Sequence, residues 1–450
     1  MRFKGILSGL LLALLTTSAV TGTPAQLAGR REAPVKVAIR CGRLIDGKGD
    51  APISNAVILI EGERIAAAGA NVAIPPGAEV IDLGGATVLP GLIDCHTHLL
   101  QNYNGELKDD DPNMILTVTQ MSTAKRALLG AAMGREDLEA GITTVRDLGN
   151  SGWNGDVALR DAINEGWVVG PRIIASTRAL SAAGGQFGEV SAPAQKIIEQ
   201  EYAVISGVEE ARRAVRQALY DGADCIKVIV NTGPRVVSLE EMKVIVEEAH
   251  RVRRKVAAHA IGEQATRIAA EAGVDSIEHA YVVPDDVLKL MAEKKIFLVP
   301  TDGPADAYVG IFERPQTEQQ RKEAETRWKF LIAGSRKRLE RAVKAGVRIA
   351  AGSDMYYQIP GKTRGQASLS MLRAYQESGM TSLQIIRAAT VNAAELLGWQ
   401  ARIGSIEPGK FADIIAVEGD PLADITQLER VKFVIKNGKV IRNDLTGNRR

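Results

Sequence analysis

Short apolar segments that stop at a histidine or an aspartate constrain this 450-residue chain more than any other feature. The strongest is Val88-Leu-Pro-Gly-Leu-Ile-Asp-Cys-His-Thr-His98, which reads as a buried strand with a polar tip. Side chains alternate along a strand, so Asp94, His96 and His98 share one face. Two imidazoles two residues apart can then reach one cation, and nitrogen ligands of this kind suit zinc. Lys255-Val-Ala-Ala-His259 and Val274-Asp-Ser-Ile-Glu-His279 are further strands of this type. In Gly346-Val-Arg-Ile-Ala-Ala-Gly-Ser-Asp354 the terminal carboxylate can bind metal and also accept a proton. The chain has five histidines, and these segments use four of them.

Lys227 lies inside Gly222-Ala-Asp-Cys-Ile-Lys-Val-Ile-Val230, an odd place for an ammonium group. Two readings are open. The stem lines the strand while the head reaches water, or burial lowers the pKa and carbon dioxide converts the amine into an anionic oxygen ligand. His250, the fifth histidine, falls in a helix that starts with a Ser238/Glu241 capping box and reads as a surface or packing residue.

Eight strand segments alternate with helical ones: 87–95, 142–147, 171–176, 224–231, 255–260, 275–279, 296–301 and 347–353. That pattern predicts an α/β chain with a (β/α)8 barrel, in which the candidate ligands sit at the C-terminal ends of strands one, four, five, six and eight. Residues 35–87 and 405–445 follow a different grammar of short alternating runs broken by Asp-Gly and Pro-Pro-Gly, and predict one small β-sandwich built from both chain ends. The barrel is then 88–404. Two inserts, Gln101 to Glu139 and Pro304 to Arg338, are placed to cover the active face, and the Asp109-Asp110-Asp111 run reads as a solvated turn.

Residues 1–25 read as a signal peptide: Arg2 and Lys4, an apolar stretch from Gly5 to Leu15, then small residues. This predicts a periplasmic or secreted protein. The formal charge is only +2, and the leader carries two of the basic residues. Such a balance gives no electrostatic basis for nucleic-acid or membrane binding. Cys41, Cys95 and Cys225 are the only cysteines, and no structural disulfide is expected.

As a set, Asp-Cys-His-Thr-His98, Asp-Cys-Ile-Lys227, Ala-Ala-His259, Ile-Glu-His279, Ala-Gly-Ser-Asp354, Ala389-Thr-Val-Asn392 and Gly404-Ser-Ile-Glu-Pro-Gly-Lys-Phe-Ala-Asp413 resemble the urease-like amidohydrolase superfamily. The resemblance is greatest to its dipeptidase and N-acyl-amino-acid hydrolase branch, related to imidazolonepropionase and including ochratoxin-hydrolysing enzymes. It implies two divalent metal ions, zinc by default, bridged by carboxylated Lys227. His96, His98, Lys227 and Asp354 would hold one ion, and Lys227, His259 and His279 the other. Two cations sharing a water yield hydroxide near neutrality, with Asp354 as the proton carrier.

The expected substrate is a small-molecule amide, a dipeptide or an N-acyl or N-aroyl amino acid that releases its C-terminal amino acid, up to a bulky amide of the ochratoxin A type. The expected assembly is a homo-oligomer. Pocket candidates are Gln186 and Phe187, the segment Asn231 to Arg235, and Tyr281. Arg235 is either a bidentate clamp for a carboxylate or an exposed loop residue. Lactone, ester and phosphotriester hydrolysis remain chemical alternatives for the same site, whereas a non-catalytic scaffold would not keep every ligand.

Overall fold

The computed structural model describes residues 36–103 and 110–446, the side chains of 110 and 111 aside. The leader and Asp109 fall outside what is described, whereas Asp110 and Asp111 open a helix, Asp110–Gln120, in place of the expected turn.

Eight parallel strands build the barrel: β1 (Leu92–Thr97), β2 (Ile142–Asp147), β3 (Arg172–Ala175), β4 (Cys225–Ile229), β5 (Lys255–Ala260), β6 (Ser276–His279), β7 (Phe297–Val299) and β8 (Arg348–Ile349). Ladders join β1 to β2 to β3, and β4 through β8 in order. Backbone hydrogen bonds close the two remaining seams. Asp224 N–H donates to Ala175 O at 2.7 Å between β3 and β4, and Cys95 N–H donates to Ala351 O at 2.8 Å between β8 and β1. Apolar side chains such as Ile226, Val228, Val256 and Ile277 are fully buried against the outer helices. Those helices form because their apolar residues recur at helical spacing. Val208–Tyr220, for example, buries Ala211, Val215 and Ala218 on one face.

The apolar run 87–95 reads as one strand but is two. Thr87–Pro90 belongs to a separate sheet, and β1 starts at Leu92. Gly91 is the crossing point: its N–H donates to Asp413 O, and a Cβ there would lie 2.2 Å from Thr143 Oγ1. Only a residue without a side chain lets the two sheets meet this closely.

The separate sheet has eight strands drawn from both chain ends, with Thr87–Pro90 antiparallel to Ile414–Val417 at its centre. Alternation divides its two faces. Val88, Ile414, Ala416, Phe433 and Ile435 pack into its own core with Ile39 and Ile58, whereas Leu89, Ile415, Val417 and Val434 point the other way into the barrel's cluster.

The described residues of both inserts are mostly helical. Asp110–Gln120 and Thr123–Glu139 follow β1, and Ala305–Phe312 and Glu318–Leu331 follow β7. The first insert is pinned by a buried ion pair from Arg126 to Glu201 at 2.5 Å. The three cysteines are buried and free. His250 Nε2 lies 2.7 Å from Asp275 Oδ2, at the end of a helix with the Ser238/Glu241 capping box in place.

Candidate metal centre

His96 and His98 end β1, Lys227 sits in the middle of β4, His259 near the end of β5, His279 at the end of β6, and Asp354 just past β8. All six line one cavity of about 450 Å³ at the C-terminal face of the barrel. The Nε2 atoms of His96 and His98 approach the same oxygen, Asp354 Oδ1, at 3.5 and 3.2 Å. One ligand atom from each of these three residues lies within 4.8 Å of the other two, a spacing that fits one cation. The rings of His259 and His279 are 4.7 Å apart, and those of His96 and His279 are 5.0 Å apart.

The hydrogen-bond partners fix which nitrogen faces the cavity. His98 Nδ1 is 2.9 Å from Gly149 O, and His96 Nδ1 is 2.8 Å from Glu278 Oε2. Both partners only accept, so each Nδ1 carries the proton and each Nε2 keeps its lone pair. Thr301 donates its hydroxyl to Pro300 O, so it accepts from His279 Nδ1 at 2.7 Å, with the same consequence.

Backbone conformation supports the placement. His279, Thr301 and Asp354 have φ values of 68°, 56° and 51°, the left-handed region that non-glycine residues rarely occupy. Asp354 is held there by its own N–H, which donates to His96 O at 2.7 Å. Such conformations concentrate at functional sites, where the surrounding structure imposes them.

Burial sets the charges. It pushes the His259 imidazole down to about 3 and those of His96 and His279 well below the ordinary histidine range, with nearby Lys227 acting in the same direction. These rings are therefore neutral and ready to ligate. Burial also lowers Lys227 to about 8, against the attraction of Glu278 and Asp354. For Asp354, burial alone would raise the carboxyl, but His96, His98 and Lys227 outweigh it and hold it below the ordinary value. Neutral imidazoles, an ionised carboxylate and a weakened lysine form a donor set that fits divalent cations.

The expected pocket residues divide. Gln186, Tyr281, Asn231 and Thr232 line the cavity. Phe187 does not: it is fully buried in a satellite cluster with Met114, Ile198 and Tyr202. Arg235 donates to Ala183 O at 2.9 Å and to Phe187 O at 2.7 Å, so its guanidinium bolts the 183–187 loop in place rather than facing the ligand cluster. Gln101, Tyr103, Asn150 and Tyr356 also line the cavity, although no motif in the sequence singles them out. Their one signal is position, since Asn150 and Tyr356 lie in the segments that follow β2 and β8. A larger cleft of about 1050 Å³ runs between the sheet edges Glu79–Asp82 and Lys439–Asn443 and the end of the Thr123–Glu139 helix. Its lining contains none of the candidate ligands.

A (β/α)8 barrel with such a cluster on its C-terminal face has the form of a metal-site hydrolase. Residues 87–441 match the Amidohydrolase family, and the chain belongs to that family. Ochratoxinase from Aspergillus niger is 35% identical over 455 aligned positions, covering 93% of this chain and 89% of that protein. The A. niger ochratoxinase crystal structure superposes with a TM-score of 0.74 at 31% identity, covering 92% and 96% of the two chains. A Xaa-Pro dipeptidase with methionine bound in its active site gives 0.76 at 32% identity, over 91% of this chain and all of that one. A prolidase complexed with N-methylphosphonate-L-proline gives 0.77 at 29% identity, again over 91% and 100%. The protein is a hydrolase acting on amide bonds.

Proposed function

We propose that the protein is a binuclear amidohydrolase that releases the C-terminal amino acid of a dipeptide or an N-acyl or N-aroyl amino acid, including bulky amides of the ochratoxin A type. The observation that carries the proposal is the convergence of His96 Nε2 and His98 Nε2 on Asp354 in a cavity also lined by Lys227, His259 and His279. In this reading His96, His98 and Asp354 hold one ion, His259 and His279 hold the other, and a carboxylated Lys227 joins them. Divalent ions, zinc by default, would supply Lewis-acid polarisation of the scissile carbonyl and acidification of water.

The chain's own residues do the rest. Asp354 is ionised and lies beside His98, so its second oxygen, Oδ2, can take a proton from the attacking water and return it to the departing nitrogen. A lysine lowered to about 8 is roughly one-tenth free amine at pH 7, far more than an ordinary lysine, and the free amine is the form that reacts with carbon dioxide. Gln186, Asn150, Asn231 and Tyr356 surround the space where a substrate amide would lie. The dipeptidase and ochratoxinase relatives support the choice of substrate class. Export to the periplasm or medium belongs to the same proposal and rests on the leader's pattern.

The test is Lys227→Ala. Metal content and turnover should fall together, and acetate or propionate should restore part of both by supplying the missing carboxylate. Full activity in the variant would end the bridging-lysine reading.

A further inference from the structure

Behind the cavity, three strands share a closed ring of buried hydrogen bonds. Glu278, the residue before His279, accepts from His96 Nδ1 at 2.8 Å through Oε2. Its other oxygen accepts from Arg146 Nη2 at 2.9 Å and from Ser276 Oγ at 2.5 Å. Arg146 also donates Nη1–H to Ser276 Oγ at 3.1 Å and Nε–H to Cys95 O at 2.6 Å. Cys95 is bonded covalently to His96, so one guanidinium grips the histidine's backbone directly and its ring through Glu278. Arg146, Ser276 and Glu278 are fully buried, and His96 is 1% exposed.

An ion pair in a barrel interior is costly. Desolvation takes several kcal/mol per ion, and aliphatic side chains fill such layers without that cost. The arrangement has a geometric return. A carboxylate accepts at both oxygens, so Glu278 can satisfy two donors that face it from opposite sides, His96 Nδ1–H and Arg146 Nη2–H. No neutral isostere can do this. An amide at the same position must turn its NH2 toward one of those donors.

We infer that Arg146 and Glu278 form a positioning clamp that fixes His96 as its Nδ1–H tautomer with Nε2 aimed into the cavity, and so sets the site's affinity for a divalent cation before any ion arrives. The inference rests on the proposed function only in taking His96 as a ligand. Outer partners of metal-bound histidines are typically worth about 10–100-fold in affinity.

Zinc affinity would be measured on the full-length, chelator-stripped protein by competition with a chromophoric chelator, for the wild type, Glu278→Gln and Arg146→Lys. Glu278→Gln is expected to bind zinc about 10–100-fold more weakly. Its cobalt-substituted form is expected to show an altered visible spectrum, and Glu278→Asp should recover part of the loss. Arg146→Lys should weaken binding in the same direction, and the double variant should lose less than the sum because the pair acts as one unit. Wild-type affinity and spectrum in Glu278→Gln would overturn the clamp.

The variant leaves Arg146 partly unpaired and can fail to fold, so a second measurement uses the wild type alone. Nitrogen-15 imidazole spectra of the metal-free protein, assigned against His96→Asn, should show a single Nδ1–H tautomer for His96. An Nε2–H tautomer or an exchanging mixture would overturn the clamp. A wild type that binds no divalent ion would instead remove the proposed function, while the tautomer spectrum still decides the clamp.

Discussion

Replacing Lys227 by methionine should stabilise the metal-free protein while destroying its function. Lys227 lies between Ile226 and Val228 in β4 and is 2% exposed. Burial lowers it from 10.5 to about 8, with Glu278 and Asp354 opposing the shift. At roughly 1.4 kcal/mol per pH unit, that gap corresponds to about 3 kcal/mol. The sign follows from proton binding. Between about pH 8 and 10.5 the unfolded chain holds the lysine proton more tightly than the folded one, so folded stability rises with pH across that window. Below about pH 8 the full cost of the buried ammonium is present, and above 10.5 it is gone. Methionine has a similar length and no charge. In carbon-dioxide-free buffer with chelator, urea unfolding followed by far-ultraviolet circular dichroism should therefore show Lys227→Met more stable than the wild type by about 3 kcal/mol at pH 7. The advantage should shrink as the pH passes 8 and vanish near 10.5. A variant no more stable at pH 7, or one whose advantage stays constant up to pH 10, would refute the idea that this ammonium is buried at a cost.

Asp354→Asn should lower turnover by about 10²–10⁴-fold, the usual contribution of a positioned proton carrier, with a much smaller change in metal content by mass spectrometry. Intact turnover would mean that another group moves the proton. Gly91→Ala should destabilise the fold by about 1–3 kcal/mol, because the new methyl meets Thr143 Oγ1 at 2.2 Å where the two sheets cross. Thr143→Ala in the same chain should recover part of the loss in thermal unfolding, and strictly additive effects would place the strain elsewhere.

The strand-end histidines are legible in the sequence because an apolar run long enough to be buried, closed by a polar tip, is how a barrel strand delivers a functional group to its mouth. The parallel alternation of strands and helices then places those tips on one face. The split at Gly91 is not legible in the same way. Residues 87–95 are apolar almost throughout, and the first half joins its sheet through partners outside the run, Arg43 and Leu44 on one side and Ile414–Val417, more than 300 residues away, on the other. Phe187 and Arg235 show a second limit. Both lie close to the cavity in sequence terms, but a loop side chain's direction depends on what packs beneath it, here Tyr202 for Phe187 and the carbonyls of residues 183 and 187 for Arg235. Arg146 is an intermediate case. An arginine inside Ile142-Thr-Thr-Val-Arg-Asp147 is as anomalous as Lys227 in its own strand, yet its partner Glu278 is 132 residues further on. The anomaly is visible in one strand, whereas the partnership exists only across three.

Product detection tests metal-dependent amide hydrolysis most directly. The protein would be stripped with chelator, reconstituted with zinc and bicarbonate, and incubated with pooled dipeptides, N-acyl and N-aroyl amino acids including ochratoxin A, matched esters, lactones and phosphotriesters, with mass spectrometry of the products. A free C-terminal amino acid should be released from at least one amide by the reconstituted protein and from none by the stripped one. Turnover confined to lactones, esters or phosphotriesters, or amide cleavage that survives metal removal, would contradict the proposed chemistry.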